Sequence, residues 1–186
     1  MEKLLLHSCC GPCSTAVLER LLNETDYEIG VFYYNPNIAP EEEYNHRKAE
    51  QIKYIKILNN PRVRFIDADY NPEVFYACAK GLENEPEGGA RCAECFKLRL
   101  GATAKFAKAN GYDIFGTTLT VSPHKNAQLI NAIGQELEDE VKIDYLVADF
   151  KKRDGFKRSI VLAKENNLYR QNYCGCTFSK RQEVNE

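Results

Sequence analysis

The chain has 186 residues, of which 44% are hydrophobic and 28% charged, and a formal net charge of -2. That length suits one buried core and is short for two, so a single catalytic domain over 1–186 is expected. No apolar run is long enough to cross a bilayer and the first residues lack the pattern of a secretory leader, so the expectation is a cytoplasmic protein without membrane contact.

In chain order, KLLLHS (3–8) reads as a buried strand, and a helix follows from about Cys13 to Asn23. YEIGVFYYN (27–35) is a second strand, and the "EEE" after Pro40 opens a helix that runs to about Leu58, its acids matching the positive end of the dipole. VRFIDAD (63–69) is a third strand, and GLENEPEGGARC (81–92) is a Gly/Glu-rich excursion of the kind that forms either a mobile loop over a site or plain surface. A helix then runs from about Cys92 to a stop at Asn110-Gly111. DIFGTTL (113–119) and DYLVADF (144–150) complete the strands, with helices at about 125–140 and 155–167. Strands alternating with helices predict a single-domain α/β fold, a mainly parallel sheet with helices on both faces. Ligands of such sheets gather at the carboxyl ends of the strands. Here those ends carry His7-Ser8-Cys9-Cys10, Asn35-Pro36-Asn37, Asp67-Ala68-Asp69, Thr117-Thr118 and Asp149.

Eight cysteines in a reducing compartment point to metal binding or redox catalysis more than to a disulfide framework. HSCCGPC (7–13) places Cys9, Cys10 and Cys13 in an irregular loop leaving the first strand, with Cys13 at a helix start that favours its thiolate. Packing alone is the plain alternative. Cys92-Ala93-Glu94-Cys95 opens a helix, and its spacing puts both sulfurs on one face. Four thiolates from two segments meet the demand of either tetrahedral zinc or an iron–sulfur cluster. A sheet that folds without help favours a catalytic iron–sulfur centre over structural zinc. In YCGC (173–176), Cys174 and Cys176 are either a strained, reducible pair, extra ligands, or inert thiols. Cys78 in VFYACAKGL reads as core, and His7 as a hydrogen-bonding neighbour of the site. His46 and His124 are either phosphate contacts or solvated, and Asp67 and Asp69 are either an acid, a further ligand, or turn caps. Residues 151–186 hold nine Lys/Arg against four Asp/Glu, while the first 150 hold sixteen against twenty-three. A basic end on an acidic body suits a polyanionic partner or a solvated helix.

HSCCGPC at 7–13, YYNPNI at 33–38, RCAECFKLRL at 91–100, GTTLTVSPHK at 116–125 and YCGC at 173–176 together resemble the QueH type of epoxyqueuosine reductase. The resemblance implies the last step of queuosine synthesis, two-electron deoxygenation of the epoxide at the wobble position of tRNA, with loss of water and with an external electron donor. It implies a [4Fe-4S] cluster on Cys9, Cys10, Cys92 and Cys95. It also implies a redox-active pair at Cys174 and Cys176, and Cys13 near the cluster or on a second metal ion, an additional iron. It further implies a HUP-like fold, in which SCCGPC stands where nucleotide-binding relatives carry a phosphate loop. For the tRNA, Lys151, Lys152, Arg153, Lys157 and Arg158 are the candidate phosphate contacts in a basic, cysteine-containing segment at 150–186, with Phe156, Tyr169, Tyr173 and Phe178 as candidate stacking groups. Two rival readings are an iron–sulfur-dependent tRNA sulfur transferase using ATP and a zinc-binding RNA adaptor.

Overall fold

Leu4, Leu5 and Leu6 are fully buried in the middle strand of the sheet, in a computed structural model that describes residues 1–180. The elements run β1 (Lys3–His7), α1 (Gly11–Glu24), β2 (Glu28–Tyr33), α2 (Glu41–Leu58), β3 (Val63–Asp67), α3 (Pro72–Ala79), α4 (Ala90–Ala109), β4 (Ile114–Thr117), α5 (Ala127–Val141), β5 (Asp144–Tyr145) and α6 (Gly155–Glu165). All four strand pairings are parallel, in the order β3-β2-β1-β4-β5. Residues 181–186, the end of the expected basic segment, lie outside the described residues.

Because successive strand residues face opposite sides, β1 feeds two cores. Leu4 and Leu6 pack with Val17, Leu18 and Ala163 on one face. Leu5 packs with Phe96, Leu100, Phe115 and Ile130 on the other. Each such side chain, taken from water, contributes roughly 1.5–3 kcal/mol, which is why β1 is apolar throughout rather than alternating. Among the described residues no helix is long and apolar enough to cross a membrane.

The expected acids Glu41, Glu42 and Glu43 do occupy the first turn of α2, and Asn59 closes that helix in a left-handed conformation at φ 44°. Two elements differ from the sequence expectation. The stretch VFYACA lies in a separate eight-residue helix, α3, started by Pro72 and capped by Asn71, whose side chain accepts from Glu73 N. DYLVADF is a strand only at Asp144–Tyr145. Beyond Tyr145, Leu146 N still donates to Phe115 O at 2.8 Å, but then the Asn131 carboxamide donates to Ala148 O and Phe150 N donates to Thr120 Oγ1. Side chains thus take the backbone groups that a longer edge strand would leave for a ladder.

β2 and β3 extend the sheet to one side of β1, and β4 and β5 to the other. The crevice between the carboxyl ends of β1 and β4 is therefore the topological switch point, where doubly wound sheets bind ligands. The cysteine loop 8–13 leaves β1 into that crevice. Gly11 is required there, because a Cβ would lie 2.9 Å from the backbone carbonyl oxygen of Glu50 in α2.

Candidate active site

The loop after β1 brings three sulfurs together. Cys9 Sγ lies 3.8 Å from Cys10 Sγ, Cys10 Sγ lies 2.8 Å from Cys13 Sγ, and all three fall within 4.8 Å of one another, a group that can hold a metal ion. Cys9 and Cys10 are buried and Cys13 is half-buried. Gln171, from the segment after α6, donates its Nε2 to Cys10 Sγ at 3.0 Å. The sulfurs share protons unequally. Hydrogen bonding from Cys10 and Cys13 holds the Cys9 thiol well below its usual value, whereas burial pushes Cys10 up to about 12 and hydrogen bonding to Cys10 and Cys9 raises Cys13.

Two adjoining chambers open from this loop. The inner one, about 50 Å³, is lined by Cys9, by Cys92 and Cys95 from the first turns of α4, and by Cys174 and Cys176. The three-residue spacing in α4 puts both of its sulfurs on the same wall, as the sequence predicts. The outer chamber, about 390 Å³, is lined by Cys9, Cys13 and Cys174 together with Phe156, Arg170, Gln171 and Tyr173. Glu87, from the Gly/Glu-rich excursion, and His124 and Lys125 line both chambers. Six of the eight cysteines thus face one continuous space, and Cys10 lies directly behind it. Cys78 packs with Phe75 and Cys95, and burial raises its thiol to about 11, consistent with a core role.

The charge of this space is informative. Arg99, one turn after Cys95 on α4, lines the inner chamber at 3% exposure and has no carboxylate partner among the described residues. Its Nε donates to Cys95 O, and the guanidinium lies 5.7 Å from the centre of the Phe96 ring. A buried cation is costly without a counter-charge, and the groups facing it are sulfurs. The inner chamber therefore suits an anionic thiolate assembly, such as an iron–sulfur centre. The sulfurs of Cys9, Cys92 and Cys95, the nearby Lys125 and the Gly88 N–H directed to Cys92 Sγ at 3.2 Å fit that group, while Cys10 does not line the chamber and stands next to Cys9.

His7 serves the frame. Its Nε2–H donates to Tyr34 O at 3.0 Å and its Nδ1 accepts from the Thr117 hydroxyl at 3.1 Å, joining β1 to the ends of β2 and β4. Burial, with Arg99 nearby, lowers its pKa to about 4, so the ring is neutral.

The CGC tail is held from below. Arg47 of α2, fully buried, donates to Tyr173 O and Cys174 O at 3.1 Å each and pairs with Glu43 at 2.7 Å. Ala39 N donates to Gly175 O at 2.9 Å. Gly175 adopts φ 116°, and a Cβ there would lie 2.8 Å from Ile38 Cγ1, so only glycine lets the two cysteines turn onto the chamber wall. Cys174 and Cys176 are free thiols here. Hydrogen bonding from Cys176 lowers Cys174 to about 5, and the same contact raises Cys176.

Other candidate residues lie elsewhere. Asp67 and Asp69 are exposed and line neither chamber; Asp67 pairs with Lys48 at 2.6 Å and accepts from Ala68 N, as a turn residue does. Lys151 pairs with Asp149, Arg153 with Glu24 at 2.8 Å and Arg158 with Glu19 at 2.6 Å. Lys152 and Lys157 are exposed without a carboxylate partner among the described residues. Of the aromatics, Phe156 and Tyr173 face the outer chamber, Tyr169 stacks on His46 at 4.0 Å, and Phe178 lies under Arg91. Sequence reasoning missed Arg99, although its i,i+4 relation to Cys95 puts it on the same helix face. It had no signal for Gln171, whose partners lie more than 150 residues away.

Fold and site define a doubly wound, HUP-like α/β protein with thiols at its switch point. The same arrangement of elements occurs in a predicted subunit of tRNA methyltransferase from Methanocaldococcus jannaschii. That structure matches with a TM-score of 0.57 at 18% identity, over 89% of this chain and 75% of that one. Residues 4–182 match the family described as Epoxyqueuosine reductase QueH. Proteins of that name from Staphylococcus epidermidis and Thermotoga maritima are 46% and 35% identical to this chain. The first alignment covers 97% of this chain and 77% of the relative, the second 96% and 91%. The chain belongs to the QueH family.

Proposed function

We propose that the protein reduces epoxyqueuosine at the tRNA wobble position to queuosine, using a [4Fe-4S] cluster held by Cys9, Cys10, Cys92 and Cys95. Membership of the QueH family over nearly the whole chain supports the activity. One observation supports the chemistry: six cysteines and a carboxylate-free buried arginine converge on one space at the switch point. The alkene forms as both epoxide C–O bonds break, and two electrons and two protons leave the oxygen as water. The bound cluster supplies Lewis acidity toward oxygen and one-electron transfer.

This chain's residues supply the rest. Cys174 and Cys176, oxidised from dithiol to disulfide, yield the two electrons and two protons, and an external reductant restores them. The low proton affinity of Cys174 makes it the better leaving thiolate when that donor attacks the disulfide at Cys176. Arg99 offsets the negative charge of the sulfurs, and Cys13, beside Cys10, is positioned for an additional iron. His124, on the boundary between the chambers, is the group that presents a proton to the departing oxygen. The tRNA approaches the outer chamber, with the exposed Lys152 and Lys157 as long-range attraction.

The test is anaerobic incubation of the reconstituted protein with epoxyqueuosine-containing tRNA and a reductant, followed by mass spectrometry of the nucleosides. Queuosine is expected to appear. Unchanged epoxyqueuosine with an iron-loaded protein refutes the activity, ATP-dependent sulfur insertion favours the transferase, and colourless protein with stoichiometric zinc favours the adaptor.

A further inference from the structure

The outer chamber has a use that electron transfer does not explain. Its volume, about 390 Å³, is that of a small-molecule site, and Cys9, Cys13 and Cys174 lie in its wall. Two of its cations, Lys125 and Arg170, have no carboxylate partner among the described residues. Arg170 lies 5.7 Å over the Phe156 ring, so cation and aromatic face sit together. The exposed Glu87 carboxylate also lines the chamber, without a pairing cation among the described residues.

We infer that this chamber seats the extruded wobble nucleotide, with Phe156 against its base and Lys125 and Arg170 on its flanking phosphates. The inference rests on the proposed function for the identity of the RNA. Epoxyqueuosine carries a guanine-type base, whose N–H edge offers donors to the Glu87 carboxylate in the lining. An anticodon loop is already single-stranded, so extrusion costs little, and a base held here directs its cyclopentane toward Cys9 and Cys174. Arg153, just before α6, and Arg158 within it behave differently. Phe156 and Ser159 look into the chamber, whereas Arg153 and Arg158 turn to Glu24 and Glu19 in a separate groove against α1.

The test is filter binding of epoxyqueuosine-containing tRNA across a salt series with the reconstituted protein. For Lys125→Gln and for Arg170→Gln, the slope of log affinity against log salt should fall by about 0.7–0.9 each, the share of one phosphate contact. Lys125→Arg and Arg170→Lys should keep the full slope, and Arg153→Gln and Arg158→Gln should change it by less than half as much. Phe156→Ala should weaken binding about tenfold with the slope retained, as loss of a base stack does. Slopes unaltered at 125 and 170, or equal losses at 153 and 158, overturn the inference, as does Phe156→Ala binding like the parent. The two readings fail separately: a parent protein that binds with these slopes yet leaves the epoxide intact overturns the reaction and keeps the nucleotide seat.

Discussion

Replacing Arg47 by Met should release the cysteine tail while leaving the sheet folded. The guanidinium of Arg47 makes two hydrogen bonds to the tail, to Tyr173 O and Cys174 O, and stacks 5.1 Å from the Tyr173 ring centre. Hydrogen bonds from a charged donor are worth about 1.5 kcal/mol each at the low end, so the tail should lose about 3 kcal/mol of docking energy. That corresponds to about a hundredfold rise in the open population of residues 170–180. Methionine keeps most of the buried volume, and Glu43 retains the Tyr169 hydroxyl as a partner, which limits the damage within α2. Native-state hydrogen exchange is the assay. Amides of the tail, such as Ser179 N bonded to Cys176 O, should exchange about a hundred times faster, and those of β1 and β2 should stay within a few-fold of the parent. Uniform acceleration across both regions would mean that Arg47 supports the global fold. Unchanged tail exchange would refute the idea that its two carbonyl contacts hold the tail at all.

The double variant Cys174→Ser/Cys176→Ser should stop multiple turnover with a recyclable thiol reductant, with iron and acid-labile sulfide at parent levels; sustained turnover removes the relay. Cys92→Ser and Cys95→Ser should each lower bound iron after anaerobic reconstitution, and Cys78→Ser should not, as metal analysis will read directly. Gly134→Ala drives a methyl into the Tyr145 ring and should cost about 1–3 kcal/mol of stability by overpacking, seen as a fall in Tm. Adding Tyr145→Val should restore much of that loss, and a Tm unchanged by Gly134→Ala would refute the close approach of α5 to β5.

The parallel sheet was legible because its strands are buried on both faces and therefore read as short continuous apolar runs, with helices of amphipathic period between them. The strand ends followed from the same runs, which put Cys9 and Cys10 at the carboxyl edge of the sheet. Cys92 and Cys95, at the start of a helix, joined them through the demand of a metal for four thiolates and through the family resemblance. What stayed hidden were partners distant in sequence. The run Lys151–Arg158 reads as a cationic surface, yet Arg153 and Arg158 meet Glu24 and Glu19 only because α6 packs beside α1, a contact spanning more than 120 residues. Asp67 sits at a strand end as a catalytic acid would, but the side chain that reaches it is Lys48, on the neighbouring α2. Short elements were the least legible: α3, of eight residues, was not read as a helix, and β5 was read over 144–150 where the strand has two residues.

The sulfur loop shows how one structural position accepts a different anion. In doubly wound folds the first helix points its positive end at the crevice, and nucleotide-binding proteins fill that position with phosphate. Here α1 begins at Gly11 with no acid in its first turn, and its N-cap Cys10 makes no side-chain capping bond, so its dipole is left for another negative group. Cys9 is the sulfur of the triplet whose proton is held most weakly, with Cys10 and Cys13 as the donors around it. Gly11 keeps α2 close behind, Gln171 closes the loop from the tail side, and Arg99 adds the cation that phosphate sites obtain from lysine. The helix N-terminus that doubly wound folds commonly turn to phosphate is thus bordered here, by exchange of a few side chains, with sulfurs that can hold a metal ion.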